Sequence, residues 1–124
     1  MPLESKPVTP KIEGTQAARS FTRLKSLAQL PAKGRVEHTG YIQSVSYSAP
    51  HQAPLLTAVV VDRLGTGAPR RGTVPHVRLR FMGQKNVPGI KPGVKIQYAG
   101  MVAPVDQIPT IYNPRYVIVP VPRG

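Results

Sequence analysis

Fifteen prolines and eleven glycines punctuate this chain of 124 residues, and nothing else in it limits the fold as much. Proline lacks a backbone donor and has a fixed φ, so it breaks helices and is confined in sheets to edges and bulges. Average usage is about 5% Pro and about 7% Gly, so proline is the outlier. This punctuation argues against a helix bundle and for short strands joined by turns. The length fits one domain, and hydrophobic residues at 40% supply one small core.

The charge is one-sided. Seventeen Lys and Arg stand against five Asp and Glu, a net charge of +12. Such a balance points to phosphate backbones, acidic proteins or anionic lipid as partners. There is no Cys, which excludes a disulfide framework, a thiol nucleophile and a cysteine zinc site. No apolar run approaches the roughly 20 residues of a membrane span. The opening MPLESKPVTPKIEG has no apolar core of a secretory signal, so the expected location is cytoplasmic. Glu4 and Glu13 stand near the start, leaving Glu37, Asp62 and Asp106 for the rest of the chain.

Residues 1–13 carry Pro, Lys and Glu without periodicity and read as a flexible tail. Over 14–31, Thr15 can cap a helix that places Phe21, Leu24, Leu27, Ala28 and Leu30 on one face, with Pro31 as its stop. Beyond Gly34 the period changes to two. Residues 35–47 read as a long strand with Gly40 in its middle, where a bulge or bend is expected. Val36 and Ile42 share one parity, Val45 and Tyr47 the other, and a bulge lets both pairs reach one core. Residues 55–63 form a second strand, and 64–75 a loop. Residues 76–82 alternate cleanly: Val77, Leu79 and Phe81 against His76, Arg78 and Arg80. Residues 83–93 hold at most one turn around Val87 to Ile90. A fourth strand follows over 94–103, and a last extended stretch over 108–121 is interrupted by Pro109 and Pro114.

The sum is an all-β chain with an N-terminal helix, and residues 32–124 fit an OB-fold, a five-stranded Greek-key barrel. A five-stranded SH3-like barrel is the structural competitor. The stretch VRLRFMGQKNVPGIKPGVKIQYAGMV, followed by IYNPRY, resembles small stand-alone actinobacterial OB-fold nucleic-acid-binding proteins and, more distantly, the OB-fold wedge domain of RecG-type helicases. The shared pattern lies in Leu79 to Met82, Pro92-Gly93, Gly100 to Val102 and Asn113-Pro114-Arg115-Tyr116. The resemblance implies nucleic-acid binding. It does not extend to ATP-driven activity, since no GxxxxGK[ST] loop is present.

The residues agree. Arg78 and Arg80, two apart on a strand, project from one face, and in OB-folds the second and third strands form the usual platform. Arg70 and Arg71 lie in the preceding loop, with Arg63 and Lys85 flanking. Cations there neutralise phosphates, and guanidinium planes stack on unpaired bases. Tyr41 and Tyr112 are the candidate stacking rings, whereas the parity of Phe81 and Tyr98 assigns them to the core, and Tyr116 reads as a packed closing residue. His38, His51 and His76 have no metal-ligand spacing. Gly65-Thr66-Gly67 opens no phosphate-binding helix, and no G-x-S-x-G elbow occurs. The expected function is therefore non-catalytic binding of DNA or RNA, as single strands or junctions and without a cofactor. The alternative is a small basic subunit of an RNA-rich particle such as the ribosome, because residues 1–35 also hold Lys6, Lys11, Arg19, Arg23, Lys25, Lys33 and Arg35.

Overall fold

Alternating side chains between Pro- and Gly-bearing turns set seven strands in a computed structural model that describes residues 21–65, 74–84 and 86–120. The strands are β1 (Thr22–Arg23), β2 (Gly34–Tyr47), β3 (Leu55–Val61), β4 (His76–Met82), β5 (Lys95–Val105), β6 (Ile108–Tyr112) and β7 (Arg115–Ile118). The expected tail over 1–13 lies outside the described residues. Among the described residues no helix is long and apolar enough to cross a membrane.

Five of the strands form a hydrogen-bonded ring. β2, β3 and β4 pair antiparallel in sequence, β4 pairs parallel with β6, β6 antiparallel with β5, and β5 antiparallel with β2. β1 adds parallel to β2, and β7 antiparallel to β5. A ring satisfies backbone groups that an open sheet of this length leaves at its edges. The last extended stretch is two strands because Asn113 takes a left-handed φ of 48° and Pro114 offers no donor. Asp106 and Gln107 both have positive φ, 57° and 65°, as a two-residue hairpin turn of the favoured hand requires. They join β5 to β6, where Val105 stands opposite Ile108.

β2 closes the ring by changing partner. Its residues 34–41 pair with β5 and 41–47 with β3. Gly40 sits at the change: a Cβ there would lie 2.5 Å from the Val61 carbonyl oxygen and 2.7 Å from Cε1 of His38. The register then shifts between Ile42 and Ser44, a bulge that inverts side-chain parity. Val36 and Ile42 are buried, and Val45 packs against the same core after the inversion. Tyr47 does not follow it inward: at 59% exposed it stands at the strand's end, beyond the reach of the core.

The ring interior is filled by facing rows. Leu56, Ala58 and Val60 of β3 stand opposite Phe81, Leu79 and Val77 of β4, joined by Ile96, Tyr98, Val102 and Ile111. Val87 and Ile90 are buried too, from the turn before β5. Tyr116 packs edge-on against Phe81, with ring centroids 5.6 Å apart.

The helix expected over 14–31 is corrected across its described part. Residues 21–31 hold β1 and a single 3-10 turn, Leu27–Gln29, capped by Ser26; the rest lies outside the described residues. The apolar spacing is real, since Leu24 and Leu27 are buried. Their amides, however, are bonded elsewhere. Leu24 N–H donates to the Glu37 carbonyl at 2.9 Å, and Leu27 N–H donates to the Asp62 carboxylate at 3.0 Å. Sheet partners outcompete a helix this short, which is marginal alone.

Candidate functional site

Alternation along β4 sorts its side chains. Val77, Leu79 and Phe81 are 0%, 0% and 3% exposed, so His76, Arg78, Arg80 and Met82 share the outer face. Strand register extends that face sideways. Arg78 stands opposite Val59 of β3 and Thr110 of β6; Arg80 stands opposite Thr57 and Tyr112.

Arg78 is held in place. Its Nε donates to Thr110 Oγ1 at 3.2 Å and a terminal nitrogen donates to the Val105 carbonyl at 3.1 Å. Arg80 is held more loosely: one terminal nitrogen reaches the Tyr112 hydroxyl at 3.4 Å, and its Nε is buried with no hydrogen-bond partner. A buried guanidinium donor without an acceptor costs about 1–3 kcal/mol or more. Neither arginine has a carboxylate within ion-pair distance among the described residues. Of the three acids among the described residues, Asp106 in the β5–β6 turn makes no ion pair, and the other two are bonded elsewhere. Glu37 accepts from Arg23 at 3.3 Å and from Gln97 at 2.8 Å, and Asp62 accepts from Ser26, Leu27 and His38. The β3–β4–β6 face therefore keeps its positive charge.

Tyr112, 44% exposed, borders Arg80 and presents a ring beside a cation. Tyr41 is elsewhere: it stands opposite Val61 and Lys95, and the Lys95 ammonium lies 5.7 Å from its ring centroid. The sequence reading did not single out Lys95, whose role depends on the β2–β5 register. Arg63 is exposed just after β3, beyond the His76 end of the row. Arg70, Arg71 and Lys85 lie outside the described residues.

At that same end a groove of about 490 Å³ opens between the 3-10 turn, the start of β4 and the β5–β6 turn. Its walls include Leu27, Leu30, Pro31 and Pro109, with His76 and Gln107 among the polar groups. Sequence reasoning missed it because its three walls come from distant parts of the chain.

Inside the ring, a chain of hydrogen bonds joins β5, β2 and β3. The Tyr98 hydroxyl and His38 Nδ1 are 2.8 Å apart, and His38 Nε2 lies 2.9 Å from Asp62 Oδ1. A carboxylate accepts only, so Nε2 carries the proton and Nδ1 accepts from Tyr98. Burial lowers the His38 pKa despite the opposing hydrogen bond and charge of Asp62, so the short His38–Asp62 contact joins a neutral imidazole to a carboxylate and is not an ion pair. Burial pushes Asp62 up, but hydrogen bonds from Leu27, His38 and Ser26 together outweigh it and its pKa falls below the ordinary carboxyl value. Tyr98 is raised far above a free phenol, by burial first and Asp62 second. With Tyr98 and His38 both buried, this chain fastens strands and the 3-10 turn together. Among the described residues no cluster of three or more His, Cys, Asp or Glu is placed to hold a metal ion.

The network sets a pH dependence. The unfolded chain protonates His38 near the ordinary value of about 6.5, while the folded chain resists until lower pH. Its contribution is complete above 6.5 and is lost as pH falls below it. Asp62 acts in the same direction at lower pH, its contribution declining below about 3.9. Thermal melts from pH 8 to 4 are expected to show a falling Tm, and His38→Gln should flatten the upper part of that fall. A Tm that rises on crossing 6.5 downward would mean that His38 is held as the cation.

Comparison with protein families, with curated proteins and with solved structures finds no match to this chain.

Proposed function

We propose that this chain is a non-catalytic nucleic-acid-binding protein with an OB-fold, which holds a DNA or RNA backbone against the outer face of β3, β4 and β6. One observation carries the reading: Arg78 and Arg80 lie side by side on that face without a counter-ion among the described residues. A phosphate oxygen is a partner that fits the outward-facing guanidinium groups, since guanidinium–phosphate bonds are planar and charge-assisted. The ring order supports the OB-fold. Its third and fifth strands are parallel and its first closes on its fourth, and both arginines lie on its third strand, which with the second forms the usual binding platform. The resemblance of residues 77–116 to OB-fold nucleic-acid binders points the same way. In this reading Tyr112, exposed beside Arg80, stacks an unpaired base.

The reading is tested by titrating the protein against fluorescent single-stranded and duplex oligonucleotides at several salt concentrations. Log K should fall linearly with log salt, by about 0.7 for each single-strand phosphate neutralised. The double change Arg78→Ala/Arg80→Ala should weaken binding and reduce that slope by about 1.4, two phosphates' worth. Affinity flat with salt, or a double variant that binds as the parent does, overturns the assignment. The alternative, a basic subunit of an RNA-rich particle, predicts that the isolated protein fails to bind oligonucleotides.

A further inference from the structure

We infer that the groove at the His76 end of the arginine row is a receptor for one unpaired nucleobase, so that the ligand is a single strand and not a duplex. The inference rests on the reading of the arginine face and adds the substrate class. Three observations carry it. The first is continuity. His76, Arg78 and Arg80 occupy successive outward positions on β4, and His76 is also part of the groove wall. Two residues of strand span about 7 Å, so a phosphate held at Arg78 leaves its own nucleotide at the groove mouth.

The second is chemistry. The walls are largely apolar: Leu27 and Leu30 from the 3-10 segment, with Pro31 and Pro109. The polar groups His76 and Gln107 offer a ring nitrogen and an amide, which suit the edge of a base. His76 Nδ1 lies 3.0 Å from the Val74 carbonyl. That acceptor fixes the proton on Nδ1 and leaves Nε2 for a ligand. A groove with apolar walls and few polar groups favours a flat heteroaromatic ring over a phosphate, which stays with the arginines outside.

The third is shape. At about 490 Å³ the groove lies in the range of small-molecule sites, too small a volume to take a base pair with both its backbones. A base enters it only when it is out of the duplex stack. The walls are also firm. Asp62 ties Leu27 to the ring through its backbone amide at 3.0 Å, and the two-residue β5–β6 turn sets Gln107.

The test uses the full chain and four ligands of equal length: oligo-dT, oligo-rU, an abasic phosphodeoxyribose strand and a blunt duplex. Oligo-dT or oligo-rU should bind at least about fivefold more tightly than the abasic strand, the lower end of what one base contact adds. The better of the two tells whether DNA or RNA is preferred. Ala32 is exposed on the groove wall, and Ala32→Leu narrows the space. It should weaken binding of the base-bearing strand by about the fivefold that one base contact adds and leave the abasic affinity and its salt slope unchanged. A single 2-aminopurine in the strand should change emission on binding to the parent protein, independently of any variant. Equal binding of base-bearing and abasic strands overturns the groove assignment alone, and so does a duplex that binds as tightly as the single strand. So does a folded Ala32→Leu protein with parental affinity for oligo-dT and oligo-rU. Failure of every ligand to bind, the abasic strand included, overturns the arginine-face reading itself.

Discussion

Leu79→Ala is expected to lower the free energy of unfolding by about 2–5 kcal/mol, as deletion of a buried leucine side chain does. The site argues for the upper half of that range. Leu79 is fully buried, and its cross-strand neighbours are Ala58 on β3 and Ile111 on β6. Ala58 has no side chain to extend into the space. Inward movement of β4 would strain its ladders to β3 and β6 at once, so the cavity stays open. The check is urea denaturation of parent and variant, with a lower midpoint at unchanged slope. A loss below about 1 kcal/mol would show that the ring collapses around the deletion, in conflict with the closely packed rows.

Gly40→Ala, which adds only one methyl group, should cost about 3 kcal/mol, the upper end for overpacking a closed site. The nearest obstacle, 2.5 Å from the new Cβ, is the carbonyl oxygen of Val61. That oxygen is backbone and has no rotamer to escape into. The second obstacle, Cε1 of His38 at 2.7 Å, belongs to a ring pinned by Tyr98 and Asp62 on its two nitrogens. Relief therefore means parting β2 from β3 or breaking the buried hydrogen-bond chain. Gly65→Ala is the control, with nothing within 4 Å of the added atom among the described residues. It should change stability by no more than about 0.5 kcal/mol. Equal melting temperatures for the two variants would show that the β2–β3 approach yields easily.

The strands were legible because each half-buried strand writes its two faces into alternate residues. Residues 76–82 show it best, and the structure buries Val77, Leu79 and Phe81 as the parity requires. The switch of parity between Ile42 and Val45 likewise announced the bulge. The N-terminal segment misled because leucines three apart serve a 3-10 turn or an irregular segment as well as a helix. What decides between them is Glu37 and Asp62, far along the chain, and local periodicity carries no trace of either. The same distance hid the Tyr98–His38–Asp62 chain, whose links span 60 and 24 residues, and the groove. The outward direction of Arg78 and Arg80 was legible from alternation alone. Their lack of a counter-ion was not, since it depends on where the few carboxylates are spent.

The change of partner along β2 bears on how the chain is made. Its first half pairs with β5, Thr39 opposite Gln97, so the closing ladder cannot form until β5 has left the ribosome. At about 5–20 residues per second, synthesis leaves that edge of β2 open for seconds. Contacts so distant in sequence make folding slow and late in character. No N-terminal fragment ending before Lys95 contains both sides of the seam, so the chain cannot be assembled from independently folding halves. Gly40, Thr39 and the lysine at the start of β5 thus mark the point at which a nascent polypeptide becomes a closed structure, and until then an exposed strand edge is open to any other unfolded chain nearby.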